Sequence, residues 1–170
     1  ALTVRRLADE LGTGSASLYR HVASRDELVV LMVDHVIGEV VLPDLDLPGR
    51  TRIERLAGEL RRVLVAHSAL LPALTAAPLL GPNALRGSEF ALLSAIDAGH
   101  PPEVATSAVL ALIDFVLGTV YFDTSSAGRA LGDEAAARGQ ASPPDADRVF
   151  SFGIETFLSG LHRHAGPHGR

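Results

Sequence analysis

The stretch that decides the fold is LTVRRLADELGTGSASLYRHVASRDEL, residues 2–28. It opens with a short amphipathic helix, because Leu7 and Leu11 are four residues apart and share one face. Gly12 follows where that helix must end, since a residue without a Cβ atom adopts the left-handed C-cap conformation at little steric cost. The apolar face of the next helix, which packs back on the first, consists of Leu18 and Val22. The stretch therefore predicts two short helices joined by a glycine turn.

The side chains left on the outside of the second helix suit contacts with DNA. Small hydroxyls, an aromatic ring, a guanidinium and an imidazole can reach phosphates and base edges. These outward residues are Ser15, Ala16, Ser17, Tyr19, Arg20 and His21. A helix-turn-helix that places its second helix in the major groove fits this pattern. An ordinary helical hairpin with a solvated polar face fits the same spacing, so the pattern leaves both interpretations open.

The charge of the chain argues against a generally basic nucleic-acid binder. The formal net charge is −5 at pH 7, and all fifteen basic residues are arginine. Residues 1–41 carry four arginines and six acidic side chains. DNA binding therefore depends on positive groups that cluster on one face. We also expect a further helix upstream of Leu2, because the sequence begins inside a structured pattern.

A connecting helix follows the opening unit. Ser24 and Glu27 form a capping box, so the third helix begins at Ser24, and we expect it to run to about Val41, ahead of Pro43. Its apolar residues cover more than one face, which predicts burial on several sides. A linker over residues 44–50, which contains proline and glycine, then separates this unit from a larger body.

The first half of the larger body is predicted to be helical. A second capping box at Thr51 opens a helix whose apolar stripe ends at His67. Prolines break the apolar segment 70–82, and irregular apolar segments of this kind often form the wall of a pocket. Asn83 is the predicted N-cap of the following helix, which ends at Gly99.

The next helix, residues 103–125, is strongly apolar and must be considered as a membrane span. Residues 104–122 contain a single charge, Asp114. That central charge, together with the lack of flanking arginines and interfacial tryptophan, argues against a span. A helix that is apolar all round is buried in a core or against another subunit. Asp114 is then a candidate buried acid, which binds a cationic ligand group or caps a local hydrogen-bond network.

The last part of the chain is predicted to contain a loop and one helix. Residues 127–147 carry few bulky side chains, which indicates a mobile or loosely helical loop. The last helix, at 146–164, has Gly153 and Gly160 seven residues apart on one stripe. Two glycines at that spacing permit the close approach of a neighbouring helix.

The sequence carries no recognisable catalytic motif. It has no glycine-rich phosphate loop, no His-Glu-x-x-His motif, no serine nucleophile elbow and no cysteine. Carboxylates and histidines are scattered over separate helices, and no alternating pattern is long enough for a sheet. We therefore expect an all-α protein that is not an enzyme and has no cofactor or metal. The alternative is an all-α small-molecule-binding or enzymatic bundle with a purely structural N-terminal hairpin.

The opening stretch resembles the TetR family of one-component transcriptional repressors. The resemblance is carried by L-T-x-R-x-L-A-x-x-L-G (residues 2–12), S-L-Y-x-H-V (17–22) and R-x-x-L (25–28). It extends to about residue 41 and is weaker beyond. There, His67 and the block 114–123 look like the regulatory domain of the tetracycline-repressor branch.

The resemblance implies a cytoplasmic, all-α homodimer with two domains. Residues 1–42 would be the helix-turn-helix DNA-binding domain with its connecting helix, the first helix of the domain being missing from the sequence. Residues 51–164 would bind a small-molecule effector and dimerise, through a four-helix interface built from helices 103–125 and 146–164. The family binds a palindromic double-stranded DNA operator and releases it when effector binds. The linker 43–50 would let the connecting helix pivot.

The resemblance also implies roles for single residues. The phosphate contacts would come from Thr3, Tyr19, His21 and Arg25, and the base contacts from Arg5, Ser15, Ser17 and Arg20. The metal-binding histidine of the tetracycline-repressor branch has no equivalent in residues 72–78, so we do not expect magnesium-tetracycline binding. We expect a mostly apolar effector. Its predicted contacts are His67, Leu74, Leu79, Leu80, Phe90, Leu93, Asp114, Phe115 and Tyr121.

Overall fold

The structure is a computed structural model that describes residues 22–74, 81–138 and 145–164. All regular secondary structure in these ranges is helical, which confirms the all-α prediction. A 3₁₀ turn at Ser68–Leu70 precedes the short helix Leu71–Leu74. The helices are α1 (Arg25–Ile37), α2 (Gly49–Ala66), α3 (Leu71–Leu74), α4 (Pro82–Asp97), α5 (Pro102–Thr124), α6 (Ser126–Ala137) and α7 (Ala146–His164).

The core is built where α2, α4 and α5 pack against one another. Helix α1 packs on α4, whereas α6 and α7 pack on α5. Leu64 of α2 and Val116 of α5 are fully buried at the centre of this arrangement. Burial of apolar side chains on α2 and α5 therefore stabilises the core against which the other helices pack.

Against the described part of the chain, helix α5 is buried along one face. Its buried side chains are Ala105, Ala108, Val109, Leu112, Val116 and Val120. Asp114 lies on the opposite face and is exposed, so the expectation of a buried acid is wrong within the single chain. By length and composition α5 is long and apolar enough to cross a membrane, and 33% of its most apolar window is buried inside the chain.

Helix α1 begins as predicted but ends early. The Ser24 hydroxyl accepts a hydrogen bond from the Glu27 amide at 3.0 Å, which confirms the N-cap. The Glu27 carboxylate in turn accepts from the amide of Ala23. The helix ends at Ile37 rather than near Val41, because Gly38, a poor helix former, takes the C-cap position.

Helix α2 begins at Gly49, so the predicted capping box at Thr51 is wrong. Pro48 is the N-cap and supplies no side-chain hydrogen bond. Gly49 is buried against the C-terminal end of α4, where an added Cβ would clash with the Ser94 carbonyl oxygen and lie 2.8 Å from the Ala98 amide nitrogen. Because α2 packs closely against α4 at Gly49, the helix begins before the predicted capping box at Thr51.

The segment predicted as a mobile or loosely helical loop after α5 contains a regular helix. Residues 126–137 form α6, and the Ser125 hydroxyl caps it by accepting from the Gly128 amide at 3.2 Å. The alanines of this segment have high helix propensity and explain why it is helical despite its lack of bulky residues. The predicted bounds of α7 are confirmed, and Gly153 does allow a close approach, because an added Cβ there would clash with the Phe115 ring.

Candidate ligand cavity

A small cavity lies between the end of α1, the following linker and helices α2, α4 and α5. Its volume is about 70 Å³. Its lining consists of Ile37, Val40, Leu42, Leu56, Ala57, Leu60, Asn83, Ala84, Arg86, Gly87, Ser88, Ala91, Val109, Leu112, Ile113 and Val116. Four separate segments of the chain therefore meet around one space.

The chemistry of the lining is mostly apolar. Aliphatic side chains form the walls, whereas the polar groups Asn83, Arg86 and Ser88 all come from the first two turns of α4. Such a surface suits an apolar molecule with one polar end. Ligand pockets usually enclose about 300–1,000 Å³, so this cavity must widen before it can hold a drug-sized molecule.

The wall formed by α4 is attached to α1 through Asp34. One carboxylate oxygen of Asp34, Oδ1, accepts hydrogen bonds from the backbone amides of Asn83 and Ala84, each at 3.0 Å. The Asn83 side-chain amide donates to Oδ2 at 3.0 Å and to the Asp34 carbonyl oxygen at 3.1 Å. Asp34 is buried, and it occupies the position of an N-cap acceptor for a helix that is remote in sequence. The predicted N-cap role of Asn83 is therefore wrong: Gly81 is the N-cap residue, and α1 supplies the capping carboxylate.

Two glycines make room for this contact. An added Cβ at Gly81 would clash with the Asp34 carboxylate, and one at Gly38 would lie 3.0 Å from Nδ2 of Asn83. The negative charge of Asp34 also meets the positive end of the α4 dipole. The close joint between α1 and α4 therefore consists of Asp34, Gly38, Gly81, Asn83 and Ala84.

The linker after α1 is held to α2 by polar contacts. The Arg62 guanidinium donates to the Glu39 carbonyl oxygen at 3.5 Å and to the Glu59 carboxylate at 2.9 Å. The hydrogen bond from Arg62 holds the pKa of Glu59 below its ordinary value of 4.5. His67 Nε2 lies 3.0 Å from the Glu39 carboxylate. These contacts fix the cavity wall that the linker provides.

The predicted ligand residues are not brought together by the described part of the chain. His67 contacts Glu39 at the end of α2, and Leu74 is buried in the core with α1. Phe90 is half-buried beside the cavity, whereas Leu93 and Asp114 are exposed. None of these lines the cavity.

The remaining predicted ligand residues are also spread out. Phe115 stacks on Phe150, with ring centroids 5.8 Å apart, and Tyr121 is half-exposed beside Phe122. Leu79 and Leu80 lie outside the described residues.

The predicted DNA contacts lie almost entirely outside the described residues. Arg25 is the exception: it occupies the first turn of α1 and is exposed. Those outside are Thr3, Arg5, Ser15, Ser17, Tyr19, Arg20 and His21. Their roles stay predictions.

Sequence reasoning missed Asp34 and most of the cavity lining. A lone acid within the apolar sequence of α1 was a usable signal, since a buried carboxylate needs hydrogen-bond donors. The stripe that contains Leu56 and Leu60 was recognised, but its partners on α4 and α5 depend on how the helices pack. In the described ranges no group of three His, Asp or Glu side chains is placed to hold a metal ion.

Comparisons with known proteins agree with the architecture. The profile of the family described as "Tetracyclin repressor-like, C-terminal domain" matches residues 42–165. An HTH-type transcriptional regulator from Saccharopolyspora erythraea is 36% identical, and the match covers 97% of this chain and 78% of that protein. The HTH-type transcriptional repressor DrrR1 of Streptomyces coeruleorubidus is 33% identical over 94% of this chain and 61% of its own length.

A solved structure of a TetR family protein is similar over nearly the whole chain. The Streptomyces coelicolor TetR family protein ActR, in complex with actinorhodin, superposes with a TM-score of 0.83 at 30% identity. The match covers 98% of this chain and 90% of ActR.

Proposed function

The chain belongs to the TetR family of transcriptional regulators, and from that premise we propose that it is a ligand-responsive repressor. It binds a palindromic double-stranded DNA operator as a homodimer in the cytoplasm. A small, mostly apolar effector enters the cavity and lowers the affinity for DNA. The position of the cavity is the observation that supports this proposal best. Its wall includes the last turn of α1, and α1 directly follows the predicted DNA-binding segment.

The DNA contacts of this proposal come from the opening segment. Arg5, Ser15, Ser17 and Arg20 contact bases, and Thr3, Tyr19, His21 and Arg25 contact phosphates. The net charge of −5 means that binding relies on these local groups rather than on the charge of the whole protein.

The test of DNA binding uses the full chain and the DNA upstream of its own gene, with fluorescence anisotropy as the readout. Arg5→Ala and Arg20→Ala should each weaken binding about tenfold or more, as expected for arginines that contact bases. Arg55→Ala, an exposed arginine on α2, is the matched control and should leave affinity unchanged. Equal affinity of all three variants and the wild type contradicts the proposal.

The homodimer of this proposal forms through α5 and α7. Both helices present large apolar side chains to solvent in the single chain, which is the expected surface of a subunit interface. These are Leu110, Tyr121, Phe122, Val149 and Phe152. Pairing of this face with a second copy gives α5 a buried second side, and it explains the apolar character of that helix without a membrane.

The effector in this proposal is apolar with one polar end, because the polar lining groups lie together on α4. The complex of ActR with actinorhodin supports a small-molecule effector for this chain. Anilinonaphthalene sulfonate, an apolar fluorophore with one anionic group, is a suitable probe. We expect its fluorescence to rise with the wild type and to weaken with Ala91→Leu, which fills the cavity from α4. An equal fluorescence response of wild type and variant would show that the probe does not bind in the cavity.

The alternative function, an all-α small-molecule-binding or enzymatic bundle with a purely structural N-terminal hairpin, has less support. The relatives named above are transcriptional regulators. Specific binding to upstream DNA separates the two functions, because the alternative function does not require the protein to bind one DNA sequence more tightly than another.

A further inference from the structure

We propose that Asp34 is the residue that couples the cavity to the DNA-binding segment. In the narrow cavity its carboxylate holds the first turn of α4 against α1. A ligand that widens the cavity draws this turn away from the carboxylate, and α1 is then free to shift. This inference rests on the proposed function, because it explains how an effector lowers DNA affinity.

The first step is that occupation of the cavity must move its walls. A volume of about 70 Å³ is well below the roughly 300–1,000 Å³ of ordinary ligand pockets. Protein interiors are close-packed and do not stretch continuously, so the added volume has to come from displacement of one wall relative to another.

The second step is that the walls and the joint share residues. Asn83 and Ala84 line the cavity, and the same two residues donate their amides to Asp34. Ile37, one turn after Asp34 on α1, also lines the cavity. Separation of α4 from α1 at the cavity therefore acts directly on the hydrogen bonds of Asp34.

The third step is that the joint has two discrete arrangements. Asp34 is 6% exposed, and a buried carboxylate that loses its donors is strongly disfavoured. When the cavity is narrow, the Asp34 carboxylate therefore keeps all its hydrogen bonds. When the cavity is widened, the carboxylate moves toward water. Such a two-state element is what a ligand needs in order to shift a population.

The fourth step connects the joint to DNA. Helix α1 has 13 residues, which corresponds to a length of about 20 Å. Asp34 lies near its C-terminal end and Arg25 at its N-terminal end. A tilt at Asp34 therefore displaces the N-terminal end of α1, which directly follows the predicted base contacts in the sequence.

The experiment compares two substitutions at the joint with two matched controls, in the full chain with its own upstream DNA. Asp34→Asn removes the charge, and Gly81→Ala places a methyl group against the carboxylate. Asp97→Asn is the control for the first: it breaks the ion pair with Arg52 at the other end of α4. Gly58→Ala is the control for the second, since an added Cβ there meets nothing within 4 Å. Circular dichroism and light scattering establish that each variant is folded and has the mass of the wild type.

The expected result is a loss of DNA affinity by about 5- to 150-fold, the usual range of allosteric coupling, in Asp34→Asn and Gly81→Ala. Both controls should bind like the wild type. If the joint variants fold and bind with wild-type affinity, the coupling is wrong while the proposed function stands. If the wild type fails to distinguish its upstream DNA from scrambled DNA, the proposed function is wrong and the coupling with it.

Hydrogen exchange provides a readout that a purely structural role would not move. Linkage is reciprocal, so DNA that favours the bonded joint must slow exchange of the Asn83 and Ala84 amides. We expect stronger protection of both amides when upstream DNA is added to the wild type, and no comparable change in the Ala98 amide at the other end of α4. Unchanged protection of the first two amides under saturating DNA overturns the coupling.

Discussion

The backbone amide of Ala84 lies 3.0 Å from Oδ1 of Asp34, so a carboxylate on one helix closes the N-terminus of another. The two residues are 50 positions apart in sequence. Their contact links the helix that follows the predicted DNA-binding segment to the helix that forms one wall of the cavity. The proposed regulation depends on this contact, and the contribution of the contact to the free energy of unfolding can be measured without DNA.

Asp34→Ala is expected to lower the free energy of unfolding by about 2 kcal/mol, which is typical for loss of a helix cap with charge-assisted hydrogen bonds. The buried amides of Asn83 and Ala84 lose their acceptor in this variant. Urea unfolding followed by circular dichroism measures the change. A loss no larger than that of Arg62→Ala, which removes a solvated ion pair with Glu59, would show that the capping carboxylate is not important for stability.

Arg61 joins three helices, and its removal is expected to destabilise the protein. Its guanidinium pairs with Asp123 at 3.0 Å and Asp147 at 2.6 Å, and it lies over the Phe150 ring at 5.0 Å. The side chain is 15% exposed, so both acids lose a largely buried partner in Arg61→Ala. We expect a loss of about 2 kcal/mol in unfolding free energy. The neighbouring Arg62→Ala, which removes a solvated pair with Glu59, should change stability little; equal effects of the two substitutions contradict this account.

Gly153→Ala is expected to disturb the contact between α7 and α5. The added methyl group collides with the ring of Phe115, which is itself stacked on Phe150. Overpacking of this kind typically costs about 1–3 kcal/mol. In Gly58→Ala the new methyl group has free space, so that variant should gain about 0.5–1 kcal/mol from higher helix propensity. A thermal unfolding series in which both variants become more stable would rule out the tight contact.

The pair between Glu59 and Arg62 gives a pH dependence with a definite sign. The hydrogen bond from Arg62 lowers the pKa of Glu59 below 4.5 in the folded protein. The resulting stabilisation is present above the unfolded pKa and is lost as the pH falls through the lower folded value. Carbon NMR of the Glu59 carboxyl should show its pKa rise toward 4.5 in Arg62→Gln. An unchanged pKa in that variant would mean that Arg62 is not the cause.

The homodimer is tested by placing a charge on its proposed face. Phe152 is 71% exposed in the single chain, and Phe152→Glu should yield a monomer at micromolar concentration because the charge would be buried at the interface. Leu45, in the linker, is 68% exposed, and Leu45→Glu is the matched control that should stay dimeric. Light scattering distinguishes the masses. A dimeric Phe152→Glu, or a monomeric wild type, contradicts the interface.

Helix boundaries that are set by residues adjacent in the sequence could be predicted. Ser24 caps α1 through its own hydroxyl, as its capping box predicts. The helical character of α7 likewise follows from its periodicity. The family could be predicted for the same reason, since its motifs are contiguous.

Features that depend on distant contacts could not be predicted. The N-terminus of α4 is capped by Asp34 rather than Asn83, and α2 begins at Gly49 because it packs against the end of α4. Asp114 is central in an apolar sequence, yet the face of α5 that is buried within the chain excludes it. The sequence predicts a ligand contact at His67, because no local signal shows how α2, α4 and α5 pack. In the structure His67 lies at the end of α2 and contacts Glu39.

The central claim, that the protein is a sequence-specific DNA-binding regulator, is tested most directly by the affinity of the full chain for its own upstream DNA and for scrambled DNA of equal length. Fluorescence anisotropy at physiological salt should give an affinity for upstream DNA that is higher by about a thousandfold or more, as specific binding requires. The affinity should also fall steeply as salt is raised, because phosphate contacts release counterions. Equal affinity for the two DNAs would contradict the account.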